Sequence, residues 1–329
     1  MDTFLFALNA VAPITLMMAL GYFLKRIGAL KSDVANGMYK LSFQLFLPAM
    51  LFVNLYEGGG LRSSDISTAL FICAACAVMF AAGLLIVYFT VPDAKQKGVV
   101  LQCIFRSNFA IIGMPLATSL GGEEGARLAA VASVAAIPLF NSLAVVSLSI
   151  FRRDENGEKV KAGKILKGIV TNPLIIGVCL ALVVLGLEKL ISLTGLNVRL
   201  GDTHIVYPVI KSIANVTSPL MLLALGAKFE FSAVRELIKP ITIGTVCRLI
   251  VMPFIVIGSA MLFFPNFTPA HFALLVAFSA SPISVSSSVM ASEMGCDGTL
   301  AGQLVVWTTV FSMFTLFFII VALRAMGVL

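Results

Sequence analysis

Ten apolar stretches, each about as long as a membrane-spanning helix, follow one another along the sequence. A bilayer core is crossed by roughly 20 mostly apolar residues in helical form. The stretches therefore predict spans near residues 5–25, 37–56, 66–90, 98–119, 127–150, 166–187, 204–226, 238–263, 271–292 and 300–325. Turn-forming pairs such as Gly121-Gly122 and Pro265-Asn266 mark several span ends. The second span is the least apolar.

The composition agrees with a chain that is solvated by lipid. Apolar residues make up 59% of the sequence, charged residues make up 12%, and the mean hydropathy is +1.03. A soluble domain carries roughly twice that share of charged residues. We therefore expect an all-α, multi-pass integral membrane protein. The net charge of +7 does not indicate nucleic-acid binding, because most basic residues fall in short loops between spans.

The basic residues of the loops are divided unequally between the two sides of the membrane. The loops after spans one, three, five, seven and nine carry fourteen: Lys25, Arg26, Lys31, Lys95, Lys97, Arg152, Arg153, Lys159, Lys161, Lys164, Lys167, Lys228, Arg235 and Lys239. The other side carries five: Arg62, Arg127, Lys189, Arg199 and Arg324. Because cytoplasmic loops are enriched in Lys and Arg, we expect both termini outside and loop 151–165 in the cytoplasm. The expected location is the cell (inner) membrane.

Two segments of the chain repeat each other at a constant offset of 171 residues. Span two reads Lys40-x3-Gln44-x3-Pro48-Ala-Met50-Leu51, and span seven reads Lys211-x3-Asn215-x3-Pro219-Leu-Met221-Leu222. A repeat of five spans enters the membrane from the opposite face the second time, and such inverted repeats are typical of alternating-access transporters. The predicted organisation is a first repeat 1–150, the loop 151–165 and a second repeat 166–329. Chance similarity among apolar helices is the alternative.

Spans four and nine each contain a helix-breaking segment near their middle. Gly113 and Pro115 lie in span four, and Pro282 in span nine is surrounded by serines that include Ser281 and Ser284. Proline frees backbone groups, and in a membrane such groups survive only when they are buried in protein or line a wet cavity. Half-helix N-terminal ends at the two breaks would suit an anion. We therefore predict a binding site there; ordinary kinks filled by neighbouring helices are the alternative.

The charged residues within the spans are positive, which agrees with an anionic substrate. Arg106 and Arg248 fall near mid-depth, whereas all sixteen acidic residues lie in loops or near span ends. An intramembrane arginine is usually functional, so its counter-charge is expected to be the substrate. The alternative is that each arginine snorkels to the membrane surface, or caps carbonyls released by the broken helices. The lack of acids disfavours a carboxylate-based cation carrier, although amides, hydroxyls and carbonyls can still hold sodium.

The sequence carries no pattern that predicts an enzyme, a cofactor or a metal site. The serine run 284–288 has no plausible histidine base, since His204 and His271 flank spans. Cys73 and Cys76 form a lone C-x-x-C without the second pair of ligands that zinc requires. We therefore expect neither catalysis nor a bound metal.

Three motifs give the chain a family resemblance over almost its whole length. They are Arg106-x-Asn108-x4-Gly113-x-Pro115, Asn172-Pro173-x3-Gly177 and Ser218-Pro219-Leu220-x5-Gly226. With these motifs the chain resembles the auxin efflux carrier family, which includes bacterial carriers of malonate or malate and the plant PIN proteins. The short central loop is similar to that of the bacterial members.

The resemblance implies a fold of ten spans in two inverted five-helix repeats, similar to bile-acid sodium symporters. Spans one, two, six and seven would form a scaffold, the others a mobile transport domain, and spans four and nine would cross at their breaks. The residue roles implied are a substrate-binding amide at Asn108, the crossing at Pro115 and Pro282, a scaffold-side contact at Asn215, and weaker contacts at Gln44 and Asn54.

These observations together predict a secondary active transporter of a small organic anion, a mono- or dicarboxylate, that works by an elevator-like movement. The coupling ion, proton or sodium, is left open, and so is a homodimer. The alternatives are a passive anion channel, a sodium-coupled organic-anion symporter of the bile-acid type, and a sensor that signals through the central loop. That loop has only about 15 residues and is too short to hold a folded output domain.

Overall fold

The computed structural model describes residues 2–57, 66–151, 171–196 and 198–329. All regular secondary structure within these residues is helical. The α-helices are α1 (Asp2–Arg26), α2 (Ser32–Leu41), α3 (Leu47–Glu57), α4 (Ile66–Thr90), α5 (Ala94–Phe105), α6 (Met114–Ile150), α7 (Pro173–Ser192), α8 (Val206–Lys228), α9 (Ala233–Val246), α10 (Met252–Phe263), α11 (Pro269–Ala280), α12 (Ser286–Glu293) and α13 (Gly298–Ala325). From residue 152 onward, the predicted loop 151–165 lies outside the described residues.

Seven helical segments in the described ranges are long and apolar enough to cross a membrane. They are Ser32–Glu57, Ser67–Thr90, Ala94–Ile150, Pro173–Ser192, Val206–Lys228, Ala233–Phe263 and Gly298–Ala325. The all-α class and the membrane character are therefore confirmed. The count of ten spans stays a prediction, because Ala94–Ile150 runs as one segment and α11 is a shorter apolar helix.

The long helix α6 changes direction at Gly122, between the predicted spans four and five. Gly122 has φ 61° and ψ −149°, which is outside the helical region although helical hydrogen bonding continues on both sides. A residue without a Cβ adopts a positive φ at little cost. The glycine pair that marked a span end in the sequence thus places a bend there. The second predicted turn, Pro265-Asn266, lies between α10 and α11.

Three π turns widen the helices in the described part of the chain, and each ends two residues before a proline. They are Ser42–Phe46 before Pro48, Phe109–Gly113 before Pro115, and Cys247–Val251 before Pro253. A proline ring clashes with the carbonyl four residues earlier and offers no N–H to it. A wider turn moves that carbonyl away, so the helix continues past the proline instead of breaking.

Helices α1, α3, α7 and α8 form one packed group, here called the scaffold group. Helix α1 packs along α8, and α3 packs against both α7 and α8. Two glycines allow close approaches: Gly226 of α8 lies against the backbone of Met18, and Gly177 of α7 lies against that of Pro48. Small residues that bring helix backbones together are a common basis of helix association in membranes.

One end of the scaffold group is tied by tyrosines and glutamates. The Tyr56 hydroxyl donates to Glu188 Oε1 at 2.7 Å, which joins α3 to α7. Glu57 Oε1 accepts from the Tyr207 hydroxyl at 2.8 Å and from Lys211 Nζ at 2.6 Å, which joins α3 to α8. The helices α4–α6 and α9–α13 pack mainly with one another as a second group, here called the crossing group.

Candidate functional site

Two helix breaks meet inside the crossing group. Helix α5 ends at Phe105, and Arg106 and Ser107 lead in non-helical conformation to Asn108. Helix α11 ends at Ala280, and α12 begins at Ser286. The backbone N–H of Asn108 donates to the carbonyl oxygen of Pro282 at 2.8 Å, so the two breaks contact each other directly.

The position of the first break differs from the prediction. The sequence predicts a break at Gly113 and Pro115, but the helix opens upstream, at residues 106–108. Pro115 instead lies inside α6, just after the π turn Phe109–Gly113, in which the N–H of Met114 donates to the Phe109 carbonyl. The π turn resolves the clash that a break was expected to resolve. The second break at Pro282 lies where it was predicted.

Arg248 holds the ends of the two helices that arrive at the crossing. Its side chain is fully buried, and its Nε donates to the Ser281 carbonyl at 2.8 Å. Its terminal nitrogens donate to the carbonyls of Phe278 at 3.0 Å, Phe105 at 3.2 Å and Ile104 at 3.3 Å. A helix C-terminus leaves carbonyls without donors and carries partial negative charge. A single guanidinium therefore neutralises the C-terminal ends of both α5 and α11.

Arg106 contacts side chains rather than carbonyls. It is 3% exposed, and its Nη2 donates at 2.7 Å both to Asn141 Oδ1 of α6 and to Ser286 Oγ of α12. Its Nη1 lies 3.4 Å from Ser287 Oγ and 2.7 Å from Met290 Sδ. These neutral partners leave the positive charge of Arg106 without an anionic contact among the described residues.

A cavity of about 40 Å³ lies at the crossing. The polar side chains along it are Asn54, Arg106, Ser107, Asn108, Asn141, Ser284 and Ser286. The apolar ones are Met50, Leu51, Phe109, Ala110, Ile111, Ile137, Phe140, Met221 and Val285. None of these lining residues is acidic. The cavity therefore presents amides, hydroxyls and one guanidinium, which is a donor-rich environment suited to an acceptor-rich anion.

The polarity of the helices around the cavity points the same way. Phe109, Ala110 and Ile111, which begin the helix after the first break, line the cavity, and so does Ser286, which begins α12. The positive N-terminal ends of the half-helices thus face the cavity. The negative C-terminal ends of α5 and α11 are instead neutralised by Arg248. The whole crossing is arranged to attract negative charge on the cavity side.

Comparison with known proteins identifies the family of this chain. The family model described as "Membrane transport protein" matches residues 6–320. The chain belongs to this membrane transport protein family. A protein of Methanothermobacter thermautotrophicus named an uncharacterized transporter is 22% identical over 318 residues, which are 95% of this chain and 97% of that protein.

Membership of the membrane transport protein family confirms the resemblance to auxin efflux carriers at the level of the family. It makes this chain a membrane transporter and not an enzyme. Neither match names a substrate, so the malonate- or malate-like character stays a prediction.

The structure brings only some of the predicted site residues to the crossing cavity. Asn108, Arg106, Ser284 and Asn54 line it. Three others lie at the crossing outside the lining: Gly113, Ser281 and Pro282. Pro115 is exposed inside α6 and does not line the cavity. Gln44 and Asn215 are exposed on the scaffold group and do not reach the cavity. Arg248 is also absent from the lining, and its geometry favours carbonyl capping over the predicted contact with substrate.

Several residues that line the crossing cavity of this membrane transport protein are not among the site residues predicted from the sequence. Ser107 and Asn141 line the cavity, as do Met50 and Met221 of the scaffold group. The two methionines are related by the 171-residue offset, so the repeat itself would have found them. Asn141, an amide inside an apolar helix, was detectable because intramembrane polar residues usually have a function. The hydroxyl of Ser107 is buried and has no hydrogen-bond partner among the described residues.

Proposed function

We propose that the protein is a secondary active transporter of a small organic anion, a mono- or dicarboxylate such as malonate or malate. The observation that carries this proposal is the polarity of the crossing. The N-terminal ends of two half-helices, three asparagines and Arg106 face a single cavity, and none of the described residues that line it is acidic. Such a cavity stabilises a carboxylate and disfavours a cation.

The carboxylate would be held by donors that the fold leaves available. The side chain of Asn108 makes no capping bond to the following helix, and the Ser107 hydroxyl lacks a partner in the described residues. A carboxylate accepts hydrogen bonds through two oxygens and donates none when ionised. Asn108 and Ser107 would therefore bind the carboxylate oxygens directly, and Arg106 would supply the counter-charge.

The position of the cavity supports an elevator-like mechanism of alternating access. Met50, Leu51, Asn54 and Met221 belong to the scaffold group, whereas the remaining lining residues belong to the crossing group. A cavity of about 40 Å³ has room for only a few water molecules. The two groups would have to separate to admit a dicarboxylate, so binding and movement would be linked.

The organisation proposed for this mechanism is ten spans in two inverted repeats, 1–150 and 166–329. Met50 and Met221 reach the same cavity from α3 and α8, as a two-fold relation between the repeats requires. The excess of basic residues in alternate loops supports an inner-membrane location with both termini outside.

The experiment that tests the proposal is uptake into proteoliposomes. Labelled malonate, malate and indole-3-acetate would be offered under a proton gradient, a sodium gradient or a membrane potential. We expect saturable accumulation of at least one anion, and we expect Asn108→Ala to weaken its affinity about tenfold, since one hydrogen bond to a charged group is worth about 1.5–3 kcal/mol. Asn266→Ala makes the same chemical change in an exposed turn and should leave uptake unchanged.

The same vesicles separate the carrier from its alternatives. A passive channel would give large currents per molecule and no accumulation above equilibrium. Uptake that needs sodium would instead favour the bile-acid type of symport. The proposal fails if none of the three anions moves under any gradient while Asn108→Ala leaves anion binding unchanged.

A further inference from the structure

A second cavity, of about 280 Å³, lies apart from the crossing cavity. Here it is called the Lys228 cavity, because Lys228 at the end of α8 lines it together with Tyr39 of α2. Ser292 at the end of α12, and Thr299 and Gln303 of α13, line its other side. The cavity is thus shared between the scaffold group and the crossing group.

Lys228 is positioned in this cavity by an aromatic ring. Its Nζ lies 4.5 Å from the centroid of the Tyr39 ring, within the range of a cation–π contact. Tyr39 is 2% exposed, and its hydroxyl lies 3.1 Å from Ser288 Oγ of α12. The ring is therefore held by its hydroxyl, and one of its faces carries the half-buried ammonium group at the cavity wall.

Among the described residues that line the Lys228 cavity, Lys228 carries the only charge. None of the described residues that line it is acidic. Glu293 follows Ser292 in the chain and attracts Lys228 electrostatically from beside the cavity. Asp297 is occupied elsewhere, because its carboxylate accepts from the Leu300 N–H and from Gln96 Nε2. Lys228 is thus the charged group that the cavity offers to a ligand.

Helix α12 connects the two cavities. Ser286, at its first residue, lines the crossing cavity, and Ser292 lines the Lys228 cavity. Six residues of helix correspond to about 9 Å along the axis. Lys228 also follows span seven, on the side that the distribution of basic residues assigns to the cytoplasm. The Lys228 cavity therefore lies between the crossing and that side.

We propose that the Lys228 cavity is a second carboxylate-binding site, which the transported anion occupies on its way between the crossing and the cytoplasmic side. The choice of a carboxylate rests on the proposed function, whereas the choice of an anion rests on the cavity alone. Lys228 binds the carboxylate by charge, and the hydroxyl groups of Ser292 and Thr299 add hydrogen bonds.

The protein carries its own reporter for this site. Trp307 is the single tryptophan of the chain, and its Nε1 donates to Gln303 Oε1 at 3.1 Å. A ligand that contacts Gln303 should therefore change the fluorescence of Trp307. Purified full-length protein would be titrated with malonate at constant ionic strength. We expect a saturable fluorescence change, about tenfold weaker in apparent affinity for Lys228→Gln and preserved for Lys228→Arg.

A lysine on the same helix serves as the matched control. Lys211 pairs with Glu57 at the opposite end of α8, so Lys211→Gln should leave the titration unchanged. A malonate signal that is equal in wild type and Lys228→Gln would overturn the site. Equal responses to malonate, chloride and phosphate would overturn its assignment to carboxylates.

The Asn108→Ala variant distinguishes a failure of this site from a failure of the proposed function. Asn108 lines the crossing cavity and not the Lys228 cavity. If no anion is transported and the signal still depends on Lys228, the second site stands and the transport proposal fails. If transport occurs and depends on Asn108 while the fluorescence signal is the same in Lys228→Gln, the transport proposal stands and the second site fails.

Discussion

Two arginines at similar depth in the membrane have different partners, and the difference decides their roles. The Arg248 guanidinium contacts four main-chain carbonyls, whereas Arg106 contacts neutral side chains next to the crossing cavity. A buried carbonyl that loses its donor costs about 1–3 kcal/mol. The fold therefore depends on Arg248, whereas Arg106 is the arginine of the proposed anion site.

Substitution of each arginine by glutamine should separate these roles. Arg248→Gln should lower the melting temperature in detergent by about 5 °C or more, because several carbonyls lose their donor. Arg106→Gln should weaken malonate affinity about tenfold or more with a smaller loss of stability. Scanning fluorimetry and uptake kinetics measure the two effects. Unchanged anion affinity in Arg106→Gln would remove that arginine from the binding site.

The sequence predicted that both arginines lie inside the membrane but not what they bind. Their depth follows from counting residues along an apolar span. Their partners depend on which helix ends meet in the fold, and those ends come from α5 and α11, far apart in sequence. The single-sequence pattern therefore left substrate binding and carbonyl capping as equal alternatives for both residues.

At the scale of helices, a proline was a less certain sign of a break than the sequence suggested. Pro48, Pro115 and Pro253 all follow π turns in helices that continue past them. The first break lies at Arg106–Asn108 instead, where Asn108 bonds the backbone of Pro282. At the break, the Asn108 N–H donates to the Pro282 carbonyl instead of to a carbonyl of its own helix. A contact between residues so far apart in the chain is not visible in the local sequence.

Gly113 tests the close packing of the helices at the crossing. A Cβ at this position would lie 2.9 Å from the Ala277 carbonyl of α11 and 2.6 Å from the Phe109 ring. Because the backbone of α11 cannot yield without moving the break, Gly113→Ala should reduce malonate uptake severalfold while the protein still reaches the membrane. Gly258→Ala in α10 meets no atom within 4 Å and is the matched control. Equal uptake by both variants would contradict this account of the crossing.

At the scale of the whole molecule, the helices form two packed groups, and the division into a scaffold and a mobile domain that the family resemblance implies stays a prediction. Helices α1, α3, α7 and α8 pack together, and the crossing lies within the remaining group. The apolar stretches predicted the helices because lipid imposes their length and hydropathy. The grouping depends on close contacts such as that of Gly226 with Met18, which periodicity alone does not show.

The boundary between the two groups should move during transport, and a cross-link across it tests this. A Cβ at Gly302 of α13 would lie 3.2 Å from Leu225 Cδ1 of α8. In a background without the six native cysteines, oxidation of Leu225→Cys/Gly302→Cys should abolish uptake, and reduction should restore it. The control is a link within the crossing group, made between Gln96→Cys and Asp297→Cys with a short bifunctional reagent. The native side chains at these positions lie 3.1 Å apart, and this link should leave uptake intact. Uptake that survives the link between α8 and α13 would show that these helices stay fixed, as in a channel, because a carrier of this design has to change their contact in every cycle.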